Sequence, residues 1–193
     1  MDEKKEHKSG FISIIGNPNV GKSTLMNALI GKELSIITTK AQTTRHRILG
    51  IVNGADYQMV FSDTPGVIKP AYEMQNSMMN FVKEALVDAD ILVYMVTSEE
   101  AVLKDNKLFE RIKKSKAPLF VLINKIDLSS QELVEETVAH WQSIFPKAKV
   151  CPISALTGFF IPELLSLLIE LLPPSPPYFP KDQLTDKPER FFV

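Results

Sequence analysis

Residues 16–23 read Gly16-Asn17-Pro18-Asn19-Val20-Gly21-Lys22-Ser23, and Thr24 follows them. The order fits G-x-x-x-x-G-K-[ST], a loop whose backbone N–H groups can wrap phosphate oxygens while Lys22 sets a point charge against the β- and γ-phosphates. Ser23 then offers its hydroxyl to magnesium. A tight glycine turn before an ordinary helix would be the better reading of a looser motif; here every fixed position matches. Farther along, Asp63-Thr64-Pro65-Gly66 supplies a carboxylate that can reach the same magnesium through water and a glycine N–H that can approach a γ-phosphate. Alone this tetrapeptide is a good turn and no more. Behind a phosphate loop it reads as a second part of one site.

Asn124-Lys125-Ile126-Asp127 addresses the base. The carboxylate of Asp127 can accept hydrogen bonds from the N1–H and 2-amino groups of guanine, whereas adenine presents no matching pair of donors. Asn124 can tie this loop to the phosphate loop, and the Lys125 stem can cover the flat face of the base. Ser154-Ala155 supplies a small turn whose N–H can meet the guanine carbonyl. Taken singly, these pieces also suit a helix-initiating surface loop and a meaningless dipeptide; their order along the chain argues for the joint reading.

Such a site needs each motif at a strand end, and the apolar runs put them there. Runs at 11–15, 48–52, 57–61, 91–96, 119–123 and 149–153 have strand length. Asn53-Gly54-Ala55-Asp56 is too short for a crossover helix, so the strands it joins are predicted to be antiparallel neighbours. Leu25, Met26, Leu29 and Ile30 recur at helical spacing, as do Met74, Met78, Phe81, Val82, Ala85 and Leu86, and similar patterns cover 103–112, 133–144 and 161–172. The fold expected is α/β, a three-layer P-loop NTPase-type domain around a six-stranded, mostly parallel sheet with one antiparallel strand. Its methionines and Cys151 read as core filler. Residues 1–9 are expected to be a polar tail and 10–172 the globular domain. In 173–193 repeated prolines block helix and central strand and favour an extended linker.

Composition agrees with one core: 193 residues, 45% of them hydrophobic. A net charge of −1 exerts no overall pull on polyanions. The single cysteine, with only His7, His46 and His140 beside it, argues against a disulfide framework and a zinc site and suits a reducing, cytoplasmic setting.

The four motifs resemble the G domain of small GTPases related to translation factors, over residues 10–172. The wording G-N-P-N-V-G-K-S-T, the loop Lys40-Ala41-Gln42-Thr43-Thr44-Arg45-His46-Arg47, D-T-P-G and the tail Tyr178-Phe179-Pro180-Lys181-Asp182-Gln183-Leu184-Thr185-Asp186 resemble the Era family of bacterial GTPases almost to Val193. The resemblance implies a magnesium-dependent GTP/GDP switch that acts in small ribosomal subunit assembly and 16S rRNA maturation. It also implies binding of that RNA by a C-terminal KH domain, expected beyond these 193 residues, and it leaves peripheral membrane association open.

Lys22 and the Gly66 N–H are the expected catalytic groups, joined by a threonine of the 32–47 loop that closes on magnesium when a γ-phosphate is present. Thr44 is the choice and Thr43 the near alternative. Ser23, Thr44 and Asp63 form the expected magnesium set. Where many GTPases carry a water-orienting Gln after D-x-x-G, this chain has Val67, so slow intrinsic turnover is expected. Some GTPases with a hydrophobic residue there use potassium held by the loop asparagine aligned with Asn19; that Asn19 only shapes the loop is the alternative. A metabolite phosphotransferase would share 16–23 and Asp63 but has no need of N-K-I-D, and a non-catalytic GTP/GDP reader would share all four motifs.

Overall fold

The computed structural model describes residues 6–31, 48–68, 71, 73–99, 103 and 105–185. Its strands are β1 (Lys8–Gly16), β2 (Ile48–Asn53), β3 (Tyr57–Asp63), β4 (Ile91–Thr97), β5 (Leu119–Asn124) and β6 (Lys149–Pro152). Its helices are α1 (Lys22–Ile30), α2 (Glu73–Asp88), α3 (Asn106–Lys114), α4 (Gln131–Ile144) and α5 (Ile161–Leu171). The sheet order is β2-β3-β1-β4-β5-β6. Only the β2–β3 pair is antiparallel, closed by the turn in which Gly54 N donates to Tyr57 O. The other pairs are parallel, so the C-terminal ends of β1, β3, β5 and β6 share one rim.

Alternation along the central strands makes the three layers. Ile91, Val93 and Met95 of β4 pack with Leu25 and Met26 of α1 and Leu164 and Leu168 of α5. Leu92, Tyr94 and Val96 pack on the other face with Met78, Val82, Phe109, Ile112 and Trp141 from α2, α3 and α4. Period-two burial on both faces is what a parallel sheet between helices requires. Cys151 is buried in the first of these cores, and burial pushes its thiol pKa up, with the nearby Lys149 charge pulling the other way. It is a small apolar filler, as are Met78 and Met79; Met74, counted with them from its spacing, lies exposed.

Some boundaries differ from the expected ones. The 103–112 pattern starts its helix only at Asn106, because the Asp105 side chain accepts from Lys107 N and Leu108 N at 2.9 and 3.1 Å and caps it there. Leu103 is buried ahead of that cap. β1 begins at Lys8, inside the segment read as a polar tail. After α5 the chain does not leave the domain: Ser9 N donates to Pro173 O, Ser175 N to His7 O, and Ile51 N to Leu184 O. Residues 173–185 therefore cross beneath β1 and β3 and then climb the open edge of β2.

The clasp for this strap is Gln58 of β3, fully buried. Its Oε1 accepts from Tyr178 N and Phe179 N at 2.8 and 3.0 Å, and its Nε2 donates to Phe179 O at 2.8 Å. Lys181 Nζ donates to Ala55 O, Asn53 Nδ2 donates to Gln183 O, and the Tyr178 ring lies 5.0 Å from that of Phe11.

Candidate functional site

At the end of β1 the backbone turns through residues 17–21 into α1. Asn19, exposed at the crest, has φ 65°, and Gly21 has φ 102° at the N-cap. Gly21 is needed twice over: that φ is strained for other residues, and a Cβ would collide with Asn124 Nδ2. No side chain caps α1 and no acid of its own stands in its first turn, so its first amides and the positive end of its dipole face the loop. Lys22 is buried, its Nζ donating to Gly16 O at 3.2 Å and Asn17 O at 2.8 Å. The ammonium thus lies folded into the cradle that Gly16, Asn17, Pro18, Asn19 and Val20 form.

Ser23 Oγ donates to Asp63 Oδ2 at 2.8 Å. Asp63 ends β3 and is fully buried, so β1 and β3 bring a hydroxyl and a carboxylate together at the head of α1. These are hard oxygen donors of the kind magnesium takes, and the pair fits that ion. Thr24, the next residue of α1, is half-buried. Thr64, placed at the nucleotide from its motif, commits its hydroxyl to Ile14 O at 2.7 Å and acts as a strut within the sheet. Pro65 carries the chain to Gly66, where an added Cβ would come within 2.7 Å of Pro18 Cα; only glycine lets this turn lie against the phosphate loop. Val67 N donates to Gly16 O at 3.0 Å, and the Val67 side chain is fully buried in the core. Thr43 and Thr44 lie outside the described residues.

The base-side loops are joined through Asn124. Its Nδ2 donates to Val20 O at 2.8 Å and its Oδ1 accepts from Ala155 N at 2.9 Å, so one buried amide links three loops from β1, β5 and β6. Lys125 follows with φ 64°, which swings the chain into a single 3-10 turn, Ile126–Leu128. Asp127 on that turn is exposed, and Ser154 Oγ donates to its Oδ1 at 2.6 Å. Sequence reading gave Ser154 and Ala155 a backbone role alone. In the structure the Ser154 side chain donates to Asp127, and of that turn's two amides Ala155 N donates to Asn124 Oδ1 at 2.9 Å and Ser154 N to Phe159 O at 3.3 Å. Neither side-chain contact has a signature in spacing, since each spans about thirty residues of chain.

A phosphate cradle at the β1–α1 junction, a hydroxyl–carboxylate pair beside it and an aspartate-bearing loop at the same rim define the class: a P-loop GTPase fold. The profile of the 50S ribosome-binding GTPase family matches residues 11–125. GTPase Era of Clostridium kluyveri is 43% identical over 187 residues, covering 96% of this chain and 64% of that protein. GTPase Era of Clostridium beijerinckii is 41% identical, with 96% and 63% covered. A crystal structure of Era with MgGDPNP and nucleotides 1506–1542 of 16S ribosomal RNA superposes with a TM-score of 0.89 at 37% identity, covering 95% of this chain and 63% of that one. An Aquifex aeolicus Era variant bound to GDP·AlF4− gives 0.89 at 38%, with 96% and 64% covered. The chain belongs to the Era GTPase family and spans just under two thirds of the length of these relatives.

Proposed function

We propose that this chain binds GTP and GDP with magnesium and hydrolyses GTP to GDP and phosphate. The observation that carries the reading is the Asn124 bridge, which locks the loop bearing Asp127 to the loop bearing Lys22 across the sheet rim. Base recognition and phosphate binding then share one rigid frame. Asp127, aimed by Ser154, reads the two guanine donors. Lys22 and the first amides of α1 stabilise charge on the β- and γ-phosphates, and Gly66 brings its N–H to the γ-phosphate. Magnesium bound at Ser23 and Asp63, with Thr44 or Thr43 closing over it, neutralises phosphate charge. Val67 is buried and no side chain at that position orients the attacking water, so turnover is slow without help; potassium held near Asn19 is the proposed help.

By its kinship the chain acts in the cytoplasm as a switch in small ribosomal subunit assembly and 16S rRNA maturation, a reading supported by the Era relative solved with 16S rRNA. Residues 186–193 would lead toward the KH domain that carries RNA binding. No helix among the described residues is long and apolar enough to cross a bilayer.

Competition against a fluorescent GDP analogue, followed by single-turnover GTP hydrolysis, tests the proposal. GTP and GDP should displace the analogue while ATP does not, and phosphate should appear at stoichiometry with the enzyme. Equal displacement by ATP would refute the reading.

A further inference from the structure

Opposite the nucleotide rim, at the N-terminal ends of β5 and β6, the surface gathers Arg111, Lys113, Lys114, Lys116, Lys147 and Lys149, all exposed. Two separate segments supply them, and packing holds those segments together. Phe109 of α3 and Phe145, just after α4, lie 5.5 Å apart by ring centroids, and Phe120 pairs with Lys149 in the β5–β6 register. Lys113 Nζ sits 4.9 Å from the Phe109 centroid and Lys149 Nζ 5.7 Å from that of Phe120, so the aromatic core props both cations at the surface.

Cations in the last turn of a helix ordinarily answer its dipole, which accounts for Arg111, Lys113 and Lys114. It does not account for Lys116, Lys147 and Lys149, which lie on a connection and at a strand start. Nor is the patch neutralised locally. Residues 111–124, 137–144 and 145–152 contain no acid, and Glu110 lies 3.7 Å from Lys113. Asp90, at the neighbouring strand start, lies on the β1 side, where it accepts from Phe11 N at 2.8 Å. In a chain of net charge −1 this is a local concentration of positive charge.

The geometry points to this pole as a docking surface for the phosphate backbone of an RNA strand, separate from the nucleotide site. Several exposed cations on two rigid segments, Lys113 alone of them in an ion pair, with Glu110, match a polyanion that binds by counterion release. A bilayer fits less well: none of the exposed large apolar residues, Met74, Val87, Leu128, Leu156, Phe159, Leu171 and Tyr178, lies in the two segments that supply the cations, so those segments offer no large exposed apolar side chain to insert. A six-residue strand separates the patch from the nucleotide rim by about 20 Å, so RNA and nucleotide can bind together. Nothing in the inference depends on which nucleotide the rim holds.

The test is fluorescence anisotropy of the 193-residue chain with a labelled oligouridylate of about 20 nucleotides, titrated across salt from about 50 mM upward, where log Kd should rise against log salt with a slope of about 2–4. Lys114→Glu/Lys116→Glu/Lys147→Glu should weaken binding at least about tenfold and flatten that slope, and the same triple change to Gln should fall between. Lys83→Glu on α2, a single charge reversal elsewhere, should change affinity by less than about twofold, whereas Lys116→Glu alone should weaken binding by more than that. Thermal midpoints confirm folding in each case. Undiminished binding by the triple variants, no binding by the parent chain near 50 mM salt, or binding of phosphatidylserine vesicles in place of RNA would each overturn the inference.

Discussion

Asp127 is exposed while the groups that fix it are buried: Ser154 at its carboxylate and Asn124 at the root of its loop. In the proposed site that division would let one position set base choice and its supports set rigidity. Asp127→Asn replaces an acceptor by an amide that offers a donor where guanine also donates. Guanine-nucleotide affinity should fall by about 2–3 kcal/mol, on the order of a hundredfold, while xanthine nucleotides, which carry a carbonyl in place of the 2-amino group, should gain. Displacement of a fluorescent nucleotide measures both, and an unchanged guanine preference would contradict the assignment. Asn124→Ala acts differently. It removes the partners of Val20 O and Ala155 N together and should cost about 2–4 kcal/mol in urea unfolding, besides loosening nucleotide binding. The motifs of the proposed site could be read in the sequence because phosphate, magnesium and guanine would each demand particular donors at strand ends, and the structure brings Lys22, Ser23, Asp63, Asn124 and Asp127 to one rim. The cross-links among those residues could not be read there, because hydrogen bonds such as Ser154 to Asp127 depend on which strands become neighbours.

Strands and helices followed from apolar period and turn chemistry: the 53–56 turn made β2 and β3 antiparallel, and continuous apolar runs made the rest parallel. The tail was harder to read. Its prolines do rule out helix and central strand, but an extended segment looks the same in sequence whether solvated or docked, and what docks this one is mostly backbone. Gln58 is the exception, a polar side chain on an interior strand whose three contacts with Tyr178 and Phe179 span about 120 residues of chain. Because the strap ends by pairing with β2, the strand that leads out of the 32–47 loop, its attachment also covers the open sheet edge. Gln58→Leu keeps the bulk and removes those bonds. Stability should fall by about 2–3 kcal/mol, and limited proteolysis should begin to cut within 173–185 while nucleotide affinity stays near that of the parent. Full protease resistance of the variant would show that the strap is held by other contacts.

Across the whole molecule, charge is divided between two poles of the sheet. The rim carries fixed dipoles and Lys22, proposed to hold a triphosphate, and the far pole carries the lysine patch. For the proposed phosphoryl transfer, Lys22 is the one cation in the phosphate loop, and Val67 has turned into the core, leaving its position without a polar group for the attacking water. Charge supplied from outside should therefore matter more here than in a domain with its own arginine or glutamine. Asn19, exposed at the crest of the loop with φ 65°, is the residue proposed to help hold a monovalent cation beside the phosphates. Single-turnover GTP hydrolysis should be about tenfold faster in potassium than in sodium at equal ionic strength, a gain of about 1.4 kcal/mol in the barrier. Asn19→Ala should abolish that difference while leaving GDP affinity within about twofold, since the loop amides and Lys22 that bind phosphate remain. Equal rates in the two salts would remove the cation from the mechanism. A potassium effect that survives Asn19→Ala would reduce that asparagine to a loop-shaping residue and place the cation elsewhere on the rim.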